Sequence, residues 1–66
     1  MEIKVNGKAI EVMEGTTVGS VPALAGISPE GIAIAVENKV IRKADWDTAE
    51  LNDGDRVTVI KAVCGG

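Results

Sequence analysis

Val63-Cys64-Gly65-Gly66 closes the sequence directly after a strand-like run, with no spacer between them. Glycine has no Cβ, so Gly65-Gly66 is a thin ribbon free to adopt extended or positive-φ shapes. Such a ribbon can thread a narrow channel in another protein and bring its terminal carboxylate to a reactive centre. A carboxylate is inert to nucleophiles at neutral pH because it is negative and has no good leaving group. Adenylation by ATP replaces one oxygen with an AMP leaving group, and a persulfide sulfur can then displace AMP, ending as a thiocarboxylate at Gly66. That group is a soft nucleophile that holds sulfur without releasing sulfide. Two terminal glycines also have plainer explanations, a frayed end or an appended remnant. Their place behind the last strand favours use.

Little else in the chain could do chemistry. Histidine is absent, and Cys64 is the one cysteine. This excludes the usual zinc sites, Ser-His and Cys-His nucleophiles, histidine acid–base work and an internal disulfide. Cys64 either is a small permissive residue in the tail or offers a thiol two residues from an activated carbonyl; reactivity would depend on its pKa and exposure. Asp45, Asp47, Asp53 and Asp55 lack the spacing and closing glutamate of a calcium loop, so turn and solvation roles are expected. Trp46, the one aromatic, is expected to cap one end of a small core. With no catalytic set and no phosphate loop, the chain is expected to be acted on by enzymes and to bind no cofactor itself, ATP being used by a partner.

The net charge of −3, with seven basic residues scattered among ten acids, argues against nucleic acid. An acidic carrier could be steered toward a basic groove on a partner. The start, Met1-Glu2-Ile3-Lys4, has neither the basic nor the apolar region of a signal peptide, and no apolar run approaches the ~20 residues needed to span a bilayer. A cytoplasmic, reduced protein is expected, monomeric apart from transient heterocomplexes.

The elements that must position the tail can be read from patterning. Sixty-six residues form one domain, 1–66, with 63–66 expected as a flexible C-terminal tail, and such a chain has a marginal core with little room for an internal active site. Val, Ile and Ala dominate the apolar residues, which favours sheet. Ile3, Val5, Ile10 and Val12 alternate on either side of Asn6-Gly7, the signature of a type I′ hairpin, and should share one buried face. Val18, Val21, Leu24 and Ala25 recur at helical spacing and should face the sheet, with Gly26 as C-cap and Ser28-Pro29 preventing continuation. Gly19 and Pro22 leave two readings: a short helix opening at Ser20 with Pro22 in its first turn, or a kinked one opening at Thr17, its N-cap. Ile32-Ala33-Ile34-Ala35-Val36 reads as a strand buried on both faces, its alanines letting the helix lie close. Lys39-Val40-Ile41 is a short strand after a turn near Asn38. A polar connection from Arg42 to Glu50 ends with Leu51 in the core. Asn52-Asp53-Gly54-Asp55 is a tight turn before the final strand, Arg56 to Ala62.

Hairpin, helix, strand, short strand and returning strand make an α+β fold. A right-handed crossover can bring the first and last strands together as parallel neighbours in the middle of the sheet. That is the β-grasp (ubiquitin-like) arrangement, with a mixed four- to five-stranded sheet and one short helix packed across it. If Val57 and Val59 point inward, Thr58, Ile60 and Ala62 point outward, and Ile60 with Ala62 would form an apolar docking patch beside the tail unless edge twist buries Ile60.

Nearly the whole chain resembles the ThiS family, the sulfur carriers of thiamine (thiazole) biosynthesis. The resemblance lies in the opening hairpin, in Gly15-Thr16-Thr17-Val18 and in Ile32-Ala33-Ile34-Ala35-Val36-Glu37-Asn38. It continues through Val40-Ile41-Arg42 followed by Trp46, Leu51-Asn52-Asp53-Gly54-Asp55-Arg56-Val57, and Gly65-Gly66. It implies a ThiF-like adenylating enzyme of the ubiquitin-activating type, a cysteine-desulfurase sulfur source and a ThiG-like thiazole synthase as acceptor. It also implies that Gly66 is adenylated and thiocarboxylated, with Gly65 beside it in the channel and Cys64 entering behind. The Gly19–Pro22 segment departs from the regular helix usual in the family. The small subunit of molybdopterin synthase shares the same fold and terminus but is usually longer and more aromatic, and a ubiquitin-like modifier forming isopeptide bonds is a further alternative.

Overall fold

The computed structural model describes residues 1–61; Ala62 and the expected tail, 63–66, lie outside the described residues. β1 (Glu2–Val5) and β2 (Lys8–Glu11) form the opening hairpin, and Ile3 faces Ile10 across it. Asn6 and Gly7 have φ of 51° and 85°, the two left-handed residues that a type I′ turn requires. A single 3₁₀ turn over Val18–Ser20 leads into α1 (Val21–Ala25), then come β3 (Ile32–Val36), β4 (Lys39–Ile41), a second 3₁₀ turn over Lys43–Asp45, and β5 (Arg56–Lys61). The strands lie in the order β2-β1-β5-β3-β4, with β1 and β5 parallel and the other pairs antiparallel. This is the expected β-grasp sheet, in its five-stranded form.

The helix takes the shorter of the two readings. Ser20 is its N-cap, Pro22 lies in its first turn where the missing N–H costs no bond, and Gly26 closes it at φ 70°. Thr17 makes no side-chain cap bond; it pairs instead with Glu50 in an isolated bridge. Gly19 is more than a helix breaker. A Cβ there would meet Asp47 Oδ1 at 2.7 Å, and its N–H donates to Trp46 O at 2.9 Å, so glycine lets the 3₁₀ turn dock against the Trp46 loop.

The core lies between the helix segment and one face of the sheet. Ile3, Val5, Val12, Val18, Val21, Ile34, Trp46, Leu51 and Val57 are buried there, with Ile32 and Val36 packed against them. Trp46 closes one end, as expected, and its indole N–H donates to Ile41 O at 3.0 Å. Two expectations are corrected. Leu24 does not face the sheet: it is 47% exposed, because five residues of helix bury only Val21 and Pro22, with Ala25 packed at the margin of the core. Nor do the alanines of β3 receive the helix. Ile32, Ile34 and Val36 do, while Ala33 and Ala35 alternate to the opposite face of the sheet.

Polar side chains hold the turns. Asp53 Oδ1 accepts Glu2 N–H and Asp55 Oδ2 accepts Asn52 N–H, both at 2.8 Å, which accounts for two of the four aspartates as turn formers. Glu37, at φ 50° in the β3–β4 turn, accepts Arg56 N–H at 2.6 Å and stands 3.4 Å from its guanidinium. The Arg56 main-chain bond first, and then its guanidinium, hold the Glu37 carboxyl below its ordinary pKa. A carboxyl more acidic when folded than unfolded contributes stability at neutral pH and loses it as pH falls through the folded value. Replacing Glu37 with Gln should therefore flatten the acid limb of a urea-midpoint profile below the ordinary carboxylate range. Superimposable acid limbs for the two proteins would remove Glu37 from the account.

Candidate functional site

β5 is the middle strand of the sheet, gripped by β1 on one side and β3 on the other, and the chain leaves it toward Gly66. Its pairing with β3 runs without a break from Val36↔Val57 to Ile32↔Lys61. On the β1 side the ladder is shorter, and the last bond is made by a side chain: Asn6 Oδ1 accepts Val59 N–H at 2.8 Å, where the backbone of β1 has already turned away. The strand that precedes the terminus is thus held by β3 as far as the described residues run, and on the β1 side as far as Val59. The expected site residues Cys64, Gly65, Gly66 and Ala62 lie outside the described residues.

Ile60 is described, and it points outward as expected, 49% exposed on the face away from the helix. Val57 is buried and Val59 packs against the core, so the alternation along β5 holds. Strand parity adds partners that the sequence reading missed. Ala33 lies opposite Ile60, Ala35 opposite both Thr58 and Val40, and Val40 is 63% exposed. Ile60, Val40 and the half-buried Ala33 thus share an apolar strip on the open face of the sheet, with the buried Ala35 beneath it. The Lys4↔Arg56 pair brings two cations to the same face. The signal for Val40 was present in the sequence, since reading β4 against β3 by parity assigns it to that side.

Among the described residues, no cluster of three acidic, histidine or cysteine side chains could hold a metal. No described helix is long and apolar enough to cross a membrane. One open groove of about 390 Å³ lies beside the end of β5, between Asn6 and the loop after α1.

The family model described as the ThiS family matches residues 2–66. The chain belongs to the ThiS family. Membership makes it a sulfur carrier, and the match runs through Gly65-Gly66 at the end of the chain. The crystal structure of the thiamine biosynthesis protein (ThiS) from Geobacter metallireducens is similar at a TM-score of 0.85 and 25% identity, covering 100% of both chains. An NMR structure of a thiamine biosynthesis protein from the same organism superposes at 0.76 with 23% identity, over 100% of this chain and 88% of that one. A ubiquitin-like protein from the archaeon Caldiarchaeum subterraneum shares the fold at 0.56 and 22% identity, over 98% and 100% of the two chains. A search of curated proteins finds no match. ThiS membership and these structures agree with the β-grasp topology.

Proposed function

We propose that this ThiS-family chain is a protein cosubstrate that carries sulfur as a thiocarboxylate on Gly66 and delivers it for thiazole formation in thiamine biosynthesis, working in the cytoplasm. The observation that carries the reading is a family match extending through Gly65-Gly66 on a domain whose central strand leads into that terminus. A ThiF-like adenylating enzyme supplies the activation. The Gly66 carboxylate attacks the α-phosphorus of ATP and pyrophosphate leaves. A persulfide from a cysteine-desulfurase source attacks the acyl adenylate and AMP leaves. A second thiol on the sulfur donor's side then attacks the S–S bond, closing a disulfide and freeing the thiocarboxylate, which a ThiG-like synthase consumes.

The reading is tested by incubating the purified chain with ATP, the adenylating enzyme and a persulfide donor. Intact-mass analysis should show sulfur in place of one terminal oxygen, and an unchanged mass overturns the proposal. Lysine-linked Gly-Gly adducts on other proteins in the cell would instead mark a modifier.

The apolar strip around Ile60 is the proposed docking face for the adenylating enzyme. Half-exposed in the free chain, Ile60 is placed to bury its remaining surface in a complex. Ile60→Asp should leave the thermal midpoint nearly unchanged and weaken binding about tenfold or more, as for a central interface residue. Equal affinities by titration calorimetry would discard the strip as a docking face.

A further inference from the structure

Successive residues of a strand direct their N–H and C=O groups to opposite neighbours. From the residue just before β5 onward, the odd-numbered residues face β1: Asp55 O accepts Lys4 N–H, Val57 O accepts Asn6 N–H, and Val59 N–H reaches the Asn6 side chain. Arg56 O, by contrast, accepts Glu37 N–H on the β3 side. The same alternation aims Val59 C=O and Lys61 N–H toward the β1 side, beyond the point where Asn6-Gly7 carries the chain away. β1 pairs with β5 only at Lys4↔Arg56 and Val5↔Val57, and among the described residues no loop backbone bonds to these two groups. The central strand therefore ends in a half-open edge. Beside it runs the groove of about 390 Å³, lined by Asn6, Gly26, Ile27, Ser28, Val59 and Lys61 among others.

We propose that this edge is a strand-addition site, occupied by an extended segment of the enzyme that activates the terminus. An acceptor and a donor two residues apart on one strand edge are the pattern that an extended main chain fills. The groove takes side chains of the added segment against Ile27 and Val59. The edge continues toward the chain end that the enzyme must hold, and Asn6 marks its inner limit. The identity of the partner rests on the sulfur-carrier reading, whereas the site itself rests on main-chain direction.

The test is amide hydrogen exchange of the whole ¹⁵N-labelled chain, alone and with the ThiF-like adenylating enzyme. The Lys61 amide should exchange about tenfold or more slowly in the complex, while the Ile60 amide, already directed at β3, changes little. Lys61→Pro deletes the donor without touching the β3 ladder and should weaken binding about tenfold; Lys61→Ala, which removes the charge alone, should stay within about twofold. If proline disturbs folding, an ester in place of the 60–61 peptide bond removes the same N–H. A complex that forms while Lys61 exchanges as in the free chain overturns strand addition and leaves the carrier reading standing. Absence of any complex overturns both. Lys61 protection that grows with chain concentration and needs no enzyme assigns the edge to a second copy and overturns the enzyme segment.

Discussion

Deleting Gly66 should abolish sulfur loading while leaving the fold untouched. The deletion leaves a carboxylate in place, now on Gly65, so the chemistry is still available in principle. What changes is reach: one residue fewer withdraws the terminus by about 3.5 Å in an extended chain. A misplacement of about 1 Å can already cost ~100-fold in a reaction that depends on positioning, so the shortened chain should load more than ~100-fold more slowly. Mass analysis of the loading reaction reads the rate, and the urea midpoint reads the fold. A shortened chain that loaded at the parental rate would mean that the terminal carboxylate is not the working group, and the proposed function would fall with it.

The second large effect concerns stability. Ile34 is fully buried in β3, facing Val59 on β5 and Ile41 on β4. Truncation to alanine loses its transfer free energy and leaves a cavity between strands that β3 joins, at a cost of about 2–5 kcal/mol. A domain of this length has a total stability of roughly 3–10 kcal/mol. Ile34→Ala should therefore remove about a fifth of the stability or more and lower the urea midpoint accordingly. A shift smaller than that of a surface substitution such as Ile60→Asp would contradict the placement of the core.

How much of this was legible in the sequence depends on which physical rule governed each element. The opening hairpin was plain because Asn6-Gly7 accepts the two positive φ values and the flanking residues alternate. The direction of Ile60 followed from period-two alternation on a strand that has only one core face to serve. The helix was harder. Its apolar spacing implied that Leu24 was inside, yet with five residues the helix covers too little of the sheet for that position to find a partner. The alanines of β3 were read as room for the helix, but strand parity alone does not reveal which face the helix crosses; here it crosses the larger Ile32, Ile34 and Val36. Gly19 and the Asn6 side chain acquire their roles from residues distant in sequence, Asp47 and Val59, which no local pattern couples to them. The terminus is the proposed working end because of its place behind the last strand, to which the family resemblance adds, since two glycines by composition alone admit duller explanations.

The pairing of Lys4 with Arg56 joins the two ends of the described sequence. Every neighbour of β5 is translated before it, so on the ribosome the earlier strands wait for a central partner that emerges after all of them. Non-local pairing of this kind slows folding relative to local contacts. Nascent chains that stall before β5 cannot close the sheet, and recognition surfaces built on it stay unformed. A chain that stops short of β5 therefore lacks the strand that joins the opening hairpin to β3 and β4.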